Sequence, residues 1–117
     1  MSDKAIKVLL AIGVSLAGLY AGYFYILPSV TVINQSSAQT LQTFVYLPHS
    51  RMDFGAIQSR AQNQIYYDLT QVDGVYRYHF TFANGQEREG QCGYLTSSEI
   101  NKRQVIEITS DLHIQCK

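Results

Sequence analysis

The side chains best suited to chemistry are two cysteines, three histidines and a pair of glutamates two positions apart. Cys92 and Cys116 are the only thiols. Metal binding would need further ligands at suitable spacing, and the sequence has no C-x-x-C and no H-x-x-x-H. A redox pair also usually takes the form C-x-x-C. A structural disulfide is the remaining expectation once the chain lies outside the cytoplasm. It would close a loop of about 25 residues, worth roughly 3.5 kcal/mol in the chain-entropy account.

Glu87 and Glu89 could act as paired carboxylates, as in acid–base catalysis. They are two apart on a strand-like segment and share a face, near Arg77 and His79. That pattern suits a cross-strand charge ladder or a protein-binding surface better than a catalytic centre. His49, Ser50 and Asp53 supply the residue types of a triad, but all within five residues of polar loop. A triad needs a scaffold that brings distant groups together beside an oxyanion hole. The sequence contains no G-x-S-x-G, H-E-x-x-H or P-loop. The chain is therefore expected not to be an enzyme, and no cofactor or metal is expected. Asn34-Gln35-Ser36 matches a glycosylation acceptor and is read as a turn.

These residues must be positioned by strands. From Ser29 onward the apolar period is two. Val30–Ile33 reads as a first strand. Leu41–Leu47 reads as a second, apolar on both faces and closed by Pro48. His49–Phe54 reads as a polar loop, and Gln58–Gln64 as a turn or short helix. Ile65, Tyr67 and Leu69 alternate as a third strand, with Asp73-Gly74 as a hairpin signal. Tyr76, Tyr78, Phe80 and Phe82 then form an aromatic core face.

Asn84-Gly85 marks a hairpin whose register can be argued. A strict two-residue loop pairs Phe82 with Glu87 and Phe80 with Glu89, which sets carboxylates beside the core. A three-residue loop with Gly85 left-handed, making a G1 bulge, shifts the pairing by one. Phe82 then meets Gln86, Phe80 meets Arg88, His79 meets Glu89 and Tyr76 meets Cys92. Burying unpaired carboxylates costs far more than a bulge, so the bulged register is expected. Gln104–Thr109 follows as a strand with Ile106 and Ile108 inward. Leu112, Ile114 and Cys116 share another inward face. The expected fold is mainly β: a small antiparallel β-sandwich of about seven strands with one disulfide, Cys92–Cys116.

The segment before these strands is of another kind. Val8–Leu27 holds no charged residue, no His and no Asn or Gln. About 20 residues of helix rise about 30 Å, the thickness of a bilayer's hydrocarbon core. The run is longer than the apolar region of a signal peptide and has no clean A-x-A site, which favours an uncleaved anchor. Lys4 and Lys7 place the N-terminal side in the cytoplasm. Tyr20, Tyr23 and Tyr25 gather at the outer end, where phenols reach toward water. Pro28 stops the helix. Gly18 and Gly22 form a small-x-x-x-small pair that could let a second helix approach.

The chain is thus expected to comprise a cytoplasmic tail (1–7), a transmembrane helix (8–27) and an extracytoplasmic domain (29–117). Nine basic and nine acidic residues leave no net charge, which excludes nucleic acid as an expected partner. The expected setting is a bacterial inner membrane, with the C-terminal domain in the periplasm. The expected function is binding another protein. The partner would be a toxin neutralised in the periplasm, in the manner of an immunity protein, or a subunit of an envelope complex for secretion, pilus assembly or division. In the latter case the chain would be an accessory subunit assembling through its helix, as a homo- or hetero-oligomer.

Overall fold

A computed structural model describes residues 3–117. Met1 and Ser2, the start of the expected tail, lie outside the described residues. The chain begins with one helix, α1 (Asp3–Ile26). It continues through eight strands: β1 (Ser29–Asn34), β2 (Thr40–Leu47), β3 (Ser50–Asp53), β4 (Gln62–Tyr66), β5 (Gly74–Phe82), β6 (Glu87–Leu95), β7 (Arg103–Ile108) and β8 (Ile114–Cys116). They form two four-stranded sheets: sheet I in the order β4-β1-β7-β8, and sheet II in the order β3-β2-β5-β6.

The sheets enclose one core. Val30, Val32, Ile106 and Ile108 come from sheet I, and Val45, Leu47, Tyr76, Phe80, Phe82 and Leu95 from sheet II. The buried polar groups are all bonded. Asn34, wholly buried, donates its amide to the carbonyls of Ala38, Ile57 and Gln58. Thr40 Oγ1 donates to the Ile57 carbonyl and accepts from the Ile57 amide and Thr43 Oγ1. Among the described residues, no buried side-chain nitrogen or oxygen lacks a partner, as close packing around desolvated polar atoms requires. The glycosylation acceptor is therefore a buried loop anchor.

The strands number eight, where about seven were expected, and the arrangement is not wholly antiparallel. β1 runs parallel to β7, from Ser29 opposite Arg103 to Asn34 opposite Ile108. Both strands start at the end of the domain from which α1 leaves, so they share a direction. Local turn signals carry no information about such a distant pairing. Asp73-Gly74 is likewise not a hairpin turn, because β4 belongs to sheet I and β5 to sheet II. The intervening residues cross between the sheets.

Three segments differ locally. Residues 49–54 are not a free loop: Pro48 and His49 form a tight turn, and β3 returns along β2 with Leu47 opposite Ser50. Met52 points into the core while Arg51 and Asp53 point out. β4 begins at Gln62, inside a stretch expected to be a turn, because β1 supplies the missing backbone partners. In β2 the register shifts between Thr40 and Gln42, which turns Leu41 outward, 52% exposed. β2 is thus covered on one face, not both.

α1 is long and apolar enough to cross a membrane. None of its residues is buried. Its 24 residues would rise about 36 Å, consistent with a long axis of 65 Å for the whole molecule. The helix ends at Ile26, before Pro28, and its last turn carries no basic residue. The cation comes from elsewhere in the chain. Arg103 donates to the carbonyls of Phe24, Tyr25 and Leu27. Its guanidinium lies over the Tyr66 ring, 5.6 Å from the centroid, and Tyr66 meets Phe24 edge-on at 5.2 Å. The Asn101 amide donates to the Ile26 carbonyl at 2.9 Å, and the Ser29 amide to Lys102. Orphan carbonyls at a helix C-terminus favour donors and positive charge. The joint between helix and domain is therefore fastened, not a swivel.

Candidate protein-binding face

The outer surface of sheet II carries the candidate residues. The hairpin β5–β6 adopts the bulged register: Phe82 N–H donates to Gln86 O at 2.8 Å, and Gly85 is left-handed with φ of 87°. Phe80 faces Arg88, His79 faces Glu89 and Tyr76 faces Cys92. Glu87, Glu89 and Gln91 consequently point to solvent. One detail differs from the simplest expectation. Glu89 is the residue opposite His79, yet the closer carboxylate is the diagonal Glu87, with Oε1 3.4 Å from His79 Nε2.

Two cross-strand rows define the face. One runs Asp53, Phe44, His79, Glu89 across β3, β2, β5 and β6. The next runs Arg51, Tyr46, Arg77, Gln91. The middle of the first row, Phe44 and His79, is half-buried; the second row sets half-buried Tyr46 beside exposed Arg77, and the ends of both rows are polar. The Arg51 guanidinium covers the Phe44 ring at 4.8 Å. Phe44 and Tyr46 lie tilted together at 6.3 Å. A trough of about 1090 Å³ runs over the helix-side half of this surface, lined by Tyr46, Arg77, His79, Glu89 and Gln91 among others. Sequence reasoning found Arg77, His79, Glu87 and Glu89 but missed Phe44, Tyr46, Arg51 and Asp53. The available signal was the alternation Arg51-Met52-Asp53-Phe54, which is polar and apolar by turns.

Glycine supports the same hairpin from within. A Cβ on Gly90 would lie 2.6 Å from Tyr78 Oη and 2.9 Å from Cζ. The Tyr78 ring therefore rests across the opposing strand and stacks on Phe80 at 5.1 Å.

Cys92 and Cys116 stand at disulfide distance, with Cα atoms 5.4 Å apart. Cys92 is buried as expected. Cys116 is exposed, a correction to its expected inward placement. The reason is topological: β8 is the outermost strand of sheet I and β6 the outermost strand of sheet II. The pair fastens the two sheets edge to edge. Arg88 reinforces it, its Nε donating across to the Leu112 carbonyl at 3.1 Å.

His49 lies in the turn before β3, and Asp53 accepts from the Gly55 amide at 2.9 Å. The structure does not bring these two together with Ser50 as a catalytic set. Among the described residues, no group of three or more His, Cys, Asp or Glu is placed to hold a metal ion. Two phenols in the core, Tyr67 and Tyr76, are hydrogen-bonded to each other. Burial raises both above the ordinary tyrosine range. Gly18 and Gly22 lie on α1 with no other part of the chain near them.

No protein-family model matches the chain, and no curated protein sequence matches it. Among solved structures it is similar to a protein from Eubacterium rectale determined by NMR. The two are 15% identical, with a TM-score of 0.56 over 78% of this chain and 86% of the other. At that identity the likeness concerns the fold alone.

Proposed function

We propose that this protein is a single-pass membrane protein whose β domain binds another protein through the outer face of sheet II. The observation that carries the reading is the pair of cross-strand rows, with half-buried Phe44, Tyr46 and His79, exposed Arg77 among them, and Arg51, Asp53 and Glu89 at the row ends. Aromatic centres with charged rims are the common composition of protein interfaces. α1 anchors the domain in a bacterial inner membrane, with Lys4 and Lys7 inside and residues 29–117 in the periplasm. An oxidising compartment also suits the Cys92–Cys116 pair. The partner is a toxin reaching the periplasm, which the protein neutralises as an immunity protein does.

A second reading makes the protein an accessory subunit of a secretion, pilus or division complex, assembled through α1. It is supported by a helix with no buried residue and by the open space around Gly18 and Gly22. Three variants separate the two readings. Replacing α1 by an unrelated span should leave partner binding intact if sheet II carries the function. Gly18→Leu with Gly22→Leu in the native span should abolish function only if the helix does. Retained binding with the double leucine variant and lost binding with Tyr46→Ala supports the first reading; the reverse pattern overturns it.

A further inference from the structure

We infer that the loop joining β6 to β7 is seated in the headgroup layer of the bilayer that α1 crosses, with Ile100 as its lipid-facing residue. The inference rests on the proposal that α1 spans a membrane. It adds a second, non-helical contact between the domain and the lipid.

Three observations converge on this loop. The first is level. Asn101, the residue after Ile100, bonds the Ile26 carbonyl at 2.9 Å, and Arg103 bonds the carbonyls of Phe24 and Tyr25. The loop therefore stands beside the last turn of α1, where Tyr23 and Tyr25 gather. Aromatic belts of this kind mark the membrane interface.

The second is exposure. Ile100 is 63% exposed, and Val72 in the adjoining crossover is 51% exposed. The two segments are fastened together, with the Ser98 amide bonded to Leu69 O at 2.9 Å and the Ser97 amide to Asp73 Oδ1 at 2.8 Å. Large apolar side chains held outward beside an apolar helix are continuous with the surface that lipid covers.

The third is order. Glu99 accepts from Thr96 Oγ1 at 2.8 Å and pairs with Lys102 at 3.3 Å. Ser98 and Asn101 both adopt left-handed backbone, φ 59° and 57°. Asn adopts this region readily, but Ser seldom does, and at Ser98 the bond to Leu69 O helps to fix it. Ile100 is thus presented by a set turn. Lys102, paired with Glu99, and Arg103, bonded to the carbonyls of Phe24 and Tyr25, follow it and hold the turn against the helix end.

The chain has no tryptophan, so a single introduced Trp reports its own surroundings. The full-length protein is reconstituted in phosphatidylcholine vesicles with bromines either near the headgroup or near the bilayer centre. Ile100→Trp, and Val72→Trp independently, should lose emission chiefly to the shallow bromines. Leu16→Trp, in the middle of α1, should lose emission chiefly to the deep ones. Leu41→Trp, on the exposed start of β2 at the far end of the domain, should lose none. Quenching at Leu16→Trp with neither loop reporter quenched overturns the inference and leaves the span standing. An unquenched Leu16→Trp overturns the span, and the inference with it.

Discussion

Arg103 Nη2 lies 3.2 Å from the carbonyl oxygen of Phe24, so the first residue of β7 caps a helix that ended 77 positions earlier. The helix supplies no cation to its own C-terminus, and the domain supplies it instead. Arg103→Gln should keep the fold but loosen the joint. Charge-assisted bonds of this type contribute on the order of 1 kcal/mol each when exposed. Hydrogen exchange at the Asn101 and Ser29 amides should quicken in the variant, while exchange in β5 stays unchanged. Arg103→Lys should restore little, because a single ammonium cannot reproduce a planar fork.

Reducing Cys92–Cys116 should lower stability by roughly 3.5 kcal/mol in the chain-entropy account. The loss should appear first at β8, which is only three residues long and pairs with β7 alone. Denaturant unfolding with and without reductant measures it. Equal midpoints would show that the edge-to-edge link carries no stability.

Gly90→Ala should destabilise the domain by about 1–3 kcal/mol, the usual cost of forcing atoms into a filled space. The added Cβ meets the Tyr78 phenol at 2.6 Å. Tyr78→Leu should relieve much of that clash, so the two changes should be strongly non-additive in a double-mutant cycle. Additive losses would mean that the ring does not lie on Gly90.

Asn34 should remain unmodified even when the chain is passed through a glycosylating secretory pathway, provided it folds first. Its amide nitrogen is committed to three carbonyls and has no solvent access. Intact mass gives the answer. Asn34→Ala should cost about 1–3 kcal/mol, because those carbonyls lose their donor in the interior.

Alkaline titration should unfold the domain. Burial raises Tyr67 and Tyr76 above their ordinary value of 10.0. The folded state therefore holds protons that the unfolded state releases. Stability from this pair is fully present below about pH 10 and declines as pH rises above it. Tyrosinate absorbance should show a late fraction that appears together with loss of structure. Smooth ionisation with the fold intact would contradict the buried pair.

Much of this was legible in the residues, for definite reasons. Val8–Leu27 is long and uncharged, and few other structures tolerate that. The β5–β6 register followed from the cost of burying Glu87 and Glu89, a strong constraint acting over a short loop. Pairings between distant segments were not legible. The parallel match of Ser29 with Arg103 depends on both strands starting beside the helix end, which no local pattern records. β3 and β4 are short and polar, and take their shape from β2 and β1. For the same reason the aromatic centre of the candidate face was missed: Phe44 and Tyr46 looked like core until the bulge at Thr40–Gln42 had fixed which way β2 turns.

The most direct test of the central claim is site-specific photo-crosslinking in the full-length, membrane-embedded protein. A crosslinker at position 79 should capture one discrete protein adduct, lost when Tyr46→Ala and Glu89→Lys are introduced together. A crosslinker at position 64, on the outer side of sheet I, should capture none. An adduct from position 64 and none from position 79 would contradict sheet II as the binding face.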